Sequence, residues 1–219
     1  MLVYGKNILK DLDKKKIKKV YCARREYVDF LEQNKIHYEF TDMNRLNKMV
    51  DGVHQGIVID MFDYEYKTMR DIKGDFIVML DHIEDPHNLG SIIRTCACAG
   101  VKSLIIPKDR SAKINDTVMK VSEGTLSYVD VIMVTNLTNA INELKKEGYF
   151  VYASAMNGED YKKMDTSGKK VLIIGNEGKG VSNPVMNNSD FLVGIPMNNQ
   201  VDSLNAGVAA GILIFGMRG

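Results

Sequence analysis

The feature that most limits the fold of this 219-residue chain is a series of short, unbroken apolar runs beginning at Phe76. They fall at 76–80, 103–106, 129–134, 150–155, 171–174 and 191–195. A strand with one wet face alternates apolar and polar residues, whereas a strand covered on both faces reads as a continuous apolar run. Helical patterns occupy 89–99, 114–121 and 137–147, and a further one runs from 203 to the end. Strand and helix in alternation predict an α/β fold with a parallel sheet covered on both faces.

The residues before this series form a smaller α/β unit. Strands are predicted at 17–22, 36–40 and 57–60, and helices at 26–34 and 46–50. Val28, Phe30 and Leu31 are candidates for burial on the first helix, and Thr41 is the candidate cap of the second. Gly52-Val53-His54-Gln55-Gly56 reads as the turn into the last strand. The stretch 63–75 is polar and weakly periodic, so the domain boundary is placed there, giving units 1–66 and 67–219.

Composition excludes several classes of function. No segment approaches the roughly 18 uncharged apolar residues of a membrane span, and 208–217 reads instead as a buried helix. Lys6, Lys10 and Asp11 interrupt any export leader, so a cytoplasmic location without a membrane partner is expected. An odd set of cysteines, Cys22, Cys96 and Cys98, argues against a disulfide framework. Cys96 and Cys98 sit in an apolar helical run and read as small buried hydrophobes. The net charge is only +1, yet residues 1–25 hold nine Lys and Arg against two Asp. Such a patch is either the footprint of a polyphosphate partner or a solvated turn.

Parallel sheets bind ligands beyond the carboxyl ends of their strands. Three strand ends here are rich in glycine and polar groups. The first is Asp81-His82-Ile83-Glu84-Asp85-Pro86-His87-Asn88-Leu89-Gly90-Ser91-Ile92-Ile93-Arg94. Pro86 forces a turn, Asn88 stands at a helix start, and Arg94 follows. An arginine there can fork onto a phosphate or a developing oxyanion, or serve as a surface charge on an amphipathic helix. Its apolar neighbours Ile92, Ile93 and Cys96 favour the first role. His82 and His87 lack the supporting ligands of a metal site, so no metal is expected. The second segment is Gly175-Asn176-Glu177-Gly178-Lys179-Gly180, a glycine loop without the spacing of a P-loop or dinucleotide fingerprint. The third runs Ile195-Pro196-Met197 through Ser203-Leu204-Asn205, followed by the small residues Ala206, Gly207, Ala209, Ala210 and Gly211.

In order and separation these segments resemble the motifs of the SpoU/TrmH family of RNA ribose 2'-O-methyltransferases. Asp81 to Arg94 matches Asp-x-x-x-Asp-Pro-x-Asn-x-Gly-x-x-x-Arg, Gly175 to Gly180 matches Gly-x-Glu-Gly-x-Gly, and Ile195 to Asn205 matches Ile-Pro-Met…Ser-Leu-Asn. The first unit is similar to the family's small RNA-binding domain through Tyr4-Gly5-Lys6-Asn7 and His54-Gln55-Gly56. That pairing is closest to the RlmB-like branch, which methylates a guanosine of large-subunit ribosomal RNA. One departure is Gly207, where the family commonly carries a hydroxyl.

The resemblance implies a trefoil-knotted methyltransferase domain behind a small RNA-binding domain. It implies S-adenosylmethionine as co-substrate, held at Gly175, Ile195, Met197 and Leu204. Arg94, Asn88, Glu177, Ser203 and Asn205 become the catalytic set, with Arg94 stabilising a developing alkoxide or orienting the adjacent phosphate. The implied partners are 23S ribosomal RNA and a second copy of the chain, with 208–215 at the interface. Transfer RNA is the alternative substrate, and a catalytically silent RNA-binding protein is the alternative class.

Overall fold

The computed structural model describes residues 1–5, 14–198 and 203–218. Lys6, Lys10, Asp11 and Asp13 of the basic patch, and the Lys6-Asn7 half of the N-terminal motif, lie outside the described residues.

The first sheet comprises β1 (Leu2–Tyr4), β2 (Ile17–Cys22), β3 (Tyr38–Phe40) and β4 (Ile57–Met61), in the order β1-β4-β2-β3. β2 and β3 are parallel, while β4 runs antiparallel to both β1 and β2. β1 was not expected, because a three-residue strand is too short to show a period. Helix α1 (Val28–Gln33) is shorter than predicted because Arg25–Tyr27 form a 3₁₀ turn ahead of it. Leu31 is fully buried, and Val28 and Phe30 only partly so. Helix α2 (Met43–Met49) is capped by Asp42, whose carboxylate accepts from the Arg45 amide at 2.9 Å. Thr41 is not the cap, since its own amide donates to Cys22 O at 2.8 Å and prolongs the sheet.

The second sheet holds β5 (Phe76–Asp81), β6 (Ser103–Pro107), β7 (Asp130–Val134), β8 (Phe150–Asp160), β9 (Lys170–Gly175) and β10 (Phe191–Gly194). Its order is β10-β8-β9-β5-β6-β7, and every pairing is parallel. Successive side chains point to opposite faces, so each strand feeds two cores. Val78, Leu80, Leu104 and Ile106 pack with Ile92 and Ile93 of α3 (Pro86–Ala99) and Leu213 and Ile214 of α7 (Ala206–Met217). Ile77, Met79, Ile105 and Ile132 pack with Ile141 and Leu144 of α5 (Leu137–Lys146) and Val185 of α6 (Asn183–Asn187). Both faces are therefore covered, as the apolar runs require. Between them in sequence, α4 (Asp116–Val121) starts later than predicted, at the cap Asn115.

Two helix starts differ from expectation. α3 begins at Pro86 with Asp85 as its cap, because proline suits the first helical position. Asn88 therefore sits inside the first turn. α7 begins at Ala206, with Asn205 as its cap and Ser203 in the preceding loop. Cys96 is buried, which pushes its thiol pKa up. Cys98 lies about 200° further round α3 and is exposed, contrary to expectation.

The polar stretch between the sheets is pinned rather than loose. Lys67 bridges to Ile132, donating from its amide to Val131 O at 2.9 Å and accepting from the Met133 amide at 3.1 Å. The Tyr66 hydroxyl accepts from the Ile114 amide at 2.8 Å, and that of Tyr64 from the Val131 amide at 3.2 Å. Burial pushes the Tyr64 pKa up to about 12. One core cluster contains Val20, Ile57 and Ile59 of the first sheet together with Leu104, Ile106 and Val131 of the second.

Two irregularities shape the top of the large sheet. Along β10, Leu192 pairs with Ala153 but Val193 pairs with Glu159, so residues 154–158 of β8 stand out of the ladder. Gly158 permits this, since a Cβ there would lie 2.4 Å from Val193 C. At the end of β9 the chain folds back on itself, with Asn176 and Gly180 exchanging backbone hydrogen bonds at 3.1 and 2.8 Å. A Cβ on Gly175 would lie 2.2 Å from both Gly180 C and Val181 N. Backbone cannot yield as a side chain can, so Gly175→Ala is expected to destabilise the fold by about 3 kcal/mol, the upper end of the usual overpacking range. Urea unfolding checks this, and an unchanged midpoint would refute the close approach.

Candidate functional site

A cleft of about 520 Å³ opens at the carboxyl ends of β8, β9 and β10. Small-molecule sites typically span roughly 300–1,000 Å³. The bulged residues Ser154 to Asn157 form one wall, and the loop from Gly175 to Val181 forms a second. Ile195, Met197, Ser203 and Leu204 form a third, backed by Ala206, Ala209 and Leu213 of α7. The cleft thus gathers Gly175, Ile195, Met197 and Leu204, together with Glu177 and Ser203. Its walls are largely apolar, with Glu177 and Lys179 supplying opposite charges.

The three polar segments meet in one hydrogen-bond relay. Asn205 Oδ1 accepts from the amides of Gly207 at 2.9 Å and Val208 at 3.3 Å, capping α7. Asn205 Nδ2 donates to Asn88 Oδ1 at 3.0 Å. Asn88 Nδ2 in turn donates to Glu177 Oε1. Asn88 is only 7% exposed, so both ends of its amide are committed away from water. Two further bonds fasten the first segment to the second. Asp81 Oδ2 accepts from the Ser182 amide at 2.7 Å, and Asn176 Nδ2 donates to His82 O at 2.8 Å. His82 has φ +59°, a left-handed conformation uncommon outside glycine, and its ring Nδ1 lies 2.5 Å from Asp81 Oδ1. Neither Asn176 nor Asp81 was assigned a role from sequence, although both lie inside the motifs.

Gly207 is where α7 meets α3. A Cβ on it would lie 3.2 Å from Ser91 Oγ and 3.1 Å from Asn205 Oδ1. The hydroxyl absent from residue 207 is faced by one on Ser91.

Arg94 stands apart from this assembly. It does not line the cleft. It lies six residues beyond Asn88, about 9 Å along the helix and about 120° round its axis. Its guanidinium Nη1 is 2.9 Å from Glu123 Oε1. Glu123 follows α4 at φ +48°, a position no sequence pattern marked. Among the described residues, no group of three or more His, Cys, Asp or Glu could hold a metal ion.

Basic residues on and beside the first sheet lie over aromatic rings. Lys16 lies over Tyr64 at 5.4 Å, Lys18 over Phe62 at 5.2 Å, and Lys19 and Arg45 over Tyr21 at 5.1 and 5.5 Å. Lys16, Lys18 and Phe62 are exposed. At the turn of 54–56, buried His54 accepts from the Gly56 amide at 3.0 Å and meets Asn47 Oδ1 at 2.8 Å.

Residues 75–215 match the family described as SpoU rRNA Methylase, and residues 2–67 match RNA 2'-O ribose methyltransferase substrate binding. YacO of Bacillus subtilis, named for the TrmH family of tRNA/rRNA methyltransferases, is 36% identical over 231 residues, covering 97% of this chain and 93% of its own length. The AdoMet-bound rRNA methyltransferase of Sinorhizobium meliloti has a TM-score of 0.82 at 25% identity, covering 99% of this chain and 86% of its own. The TrmH/SpoU tRNA modifying enzyme of A. aeolicus has a TM-score of 0.61 at 30% identity, covering 67% of this chain and 75% of its own.

The relay predicts its own stability effects. Asn88→Ala removes both hydrogen bonds of the buried amide, to exposed Glu177 and Asn205, which costs about 1–3 kcal/mol, or roughly 2–10 °C in Tm for a chain of this size. Asn88→Asp sets a second carboxylate against Glu177 and is expected to cost more at pH 7. Below about pH 4 carboxylates protonate, so the excess penalty of Asp over Ala should shrink there. Thermal unfolding of both variants at the two pH values checks the sign.

Proposed function

The chain belongs to the SpoU rRNA methylase family, and from that membership we propose that it methylates a ribose 2'-hydroxyl of RNA, at a guanosine of 23S ribosomal RNA. One observation carries the reading. The cleft is walled by the glycine loop and the tail, and the Glu177–Asn88–Asn205 relay ties both to the segment that leads to Arg94.

The residues present fit S-adenosylmethionine. Ile174, Ile195, Leu204 and Leu213 offer apolar walls suited to an adenine, and Lys179 offers a cation for a carboxylate. Gly175, Ile195, Met197 and Leu204 would hold the co-substrate, which supplies an electrophilic methyl group on a sulfonium. The chain's own task is to orient the ribose and help its hydroxyl lose a proton. Arginine stays charged at any physiological pH, so Arg94 serves as a fixed cation for the developing alkoxide or the adjacent phosphate. Ser203, at the cleft and exposed, positions the ribose. Asn205 spends its oxygen on α7, so it holds the loop. Asn88 and Glu177 keep the loops in register.

We assign residues 1–66 to RNA capture and 67–219 to methyl transfer. The exposed Lys16, Lys18 and Phe62 suit single-stranded RNA, which is bound by cations and aromatic faces together. The likeness to the rRNA enzyme spans nearly the whole chain and that to the tRNA enzyme two thirds of it, which favours ribosomal RNA. A cytoplasmic location accords with that substrate, and among the described residues no helix is long and apolar enough to cross a membrane.

Two further parts of the reading concern topology and assembly. β9 lies between β8 and β5, and Asn88 of α3 bonds both Glu177 in the loop after β9 and Asn205 at the start of α7. That convergence supports a trefoil knot. The separation of Arg94 from the cleft within one chain supports a homodimer in which a second copy completes the site. Val208 and Phe215, both half-exposed on apolar α7, are its natural contact.

Two variants test this. Arg94→Ala is expected to reduce methyl transfer to in vitro transcribed 23S ribosomal RNA by at least about 100-fold, while calorimetry shows S-adenosylmethionine bound as in the parent. An active Arg94→Ala protein would sink the assignment, and no heat of binding in the parent would favour a silent RNA-binding protein. Phe215→Glu is expected to sediment as a monomer and to lose activity. A dimeric, active Phe215→Glu protein would remove α7 from the interface.

A further inference from the structure

The ion pair between Arg94 and Glu123 is more than a surface contact. We propose that Glu123 is a placeholder for RNA phosphate: its carboxylate holds the Arg94 guanidinium in the free protein and gives way to a backbone phosphate when RNA binds. The proposal rests on the reading of Arg94 as a residue that meets RNA.

Among the described residues, Glu123 is the one acidic partner of Arg94, at 2.9 Å. A carboxylate and a phosphate present the same thing to a guanidinium, a pair of anionic oxygens matched to its planar fork. The side chains of Arg94 and Glu123 are 49% and 58% exposed. Exposed pairs of this kind shift an equilibrium by no more than about fivefold, so exchange for another anion is cheap. The pair is also not needed to hold α3 against α4. A Cβ on Gly90 would lie 2.7 Å from Val121 Cβ, and Ile93 and Val118 are fully buried, so these helices are already in close contact.

The backbone under Glu123 points the same way. Its φ of +48° is a left-handed conformation that disfavours a residue with a long side chain, and Gly124 follows at φ +81°. The turn is fastened on both sides. Ser122 Oγ donates to Met119 O at 3.2 Å, Thr125 Oγ1 to Ser122 O at 2.6 Å, and Ser127 Oγ to Gly124 O at 3.1 Å. A glycine would sit there without strain, yet the chain carries a carboxylate and a rigid turn aims it at Arg94. Such outliers gather where a side chain serves the site. Lys120, whose carbonyl accepts from the Glu123 amide at 3.2 Å, is engaged elsewhere, with its Nζ 5.0 Å from the ring centre of Tyr4 in the first sheet.

Glu123 is thus a positioning residue that acts through Arg94. It pairs the guanidinium's charge in the free protein, and it makes every anion that reaches Arg94 compete with a tethered one. Its removal should tighten RNA binding without harming the chemistry.

The test uses Glu123→Gln and Glu123→Gly in the full chain, with a labelled 20-nucleotide single-stranded RNA for binding and in vitro transcribed 23S ribosomal RNA for methyl transfer. Both variants are expected to lower the RNA Kd and KM by about threefold to fivefold, the reach of an exposed pair, with kcat within twofold of the parent. Glu123→Gly should in addition raise Tm, because it relieves the left-handed backbone, whereas Glu123→Gln should not. In an Arg94→Ala background the gain in RNA binding should vanish. The proposal is overturned if Kd is unchanged or weaker in both variants. It is equally overturned if kcat falls while KM holds, which would make Glu123 a structural brace, or if the gain persists without Arg94, which would make it a general charge effect. Absence of methyl transfer in the parent would instead count against the methyltransferase reading, and the Kd comparison would still decide the role of Glu123.

Discussion

The structure depends on a relay whose direction is forced from one end. The first amides of a helix have no partner within the helix. At α7 those of Gly207 and Val208 claim the oxygen of Asn205. The Asn205 amide nitrogen must then donate, so Asn88 must present its oxygen and donate with its own nitrogen. Only an acceptor can follow, and Glu177 supplies it. The order oxygen-nitrogen, oxygen-nitrogen, carboxylate is thereby set by the helix end. The positive end of the α7 dipole and the Glu177 carboxylate are complementary across the two amides. One contact of 89 residues' separation and another of 117 become a single interaction.

Close approach makes this relay possible. Two bulky helices could not bring Asn205 to Asn88, but Gly207 lets α7 lie against Ser91. Gly175 lets the end of β9 run under Gly180 and Val181, which places Glu177 beside α3. Gly158 and Gly194 let β8 shed residues 154–158 from the ladder and turn them into a wall of the cleft. These glycines do separate jobs, and each is a place where backbone meets backbone or a short polar side chain.

Much of the scaffold was legible because its cause is local. Each apolar run from Phe76 onward became a parallel strand, since burial on both faces leaves a mark in consecutive residues. Boundaries were less legible. α3 starts at Pro86 behind the cap Asp85 rather than at Asn88, and Asp42 rather than Thr41 caps α2, because several residues near each start could cap and the backbone path selects one. β1 and α6, of three and five residues, carry too little pattern to be seen. The polar connection read as a domain boundary, and its anchoring was not visible. Tyr64 and Lys67 find backbone partners only after β7 has become a sheet edge, and Tyr66 only after the segment before α4 has been brought beside it.

The sequence by itself determined the α/β class, the parallel sheet covered on both faces, the family, and the fact that three particular segments belong together. Local burial patterns and motif residues suffice for that, since each is written in a few adjacent positions. Only the tertiary structure decided how the segments meet. It showed that Gly175, Ile195, Met197 and Leu204 share one cleft. It joined Asn88, Glu177 and Asn205 through hydrogen bonds whose partners lie far apart in the chain. It set Arg94 away from them, against Glu123. The physical reason is that a hydrogen bond or an ion pair is specified by distance and direction. Those are fixed by the packing of α3, α4 and α7 on the sheet, and no spacing along a single strand of sequence encodes them.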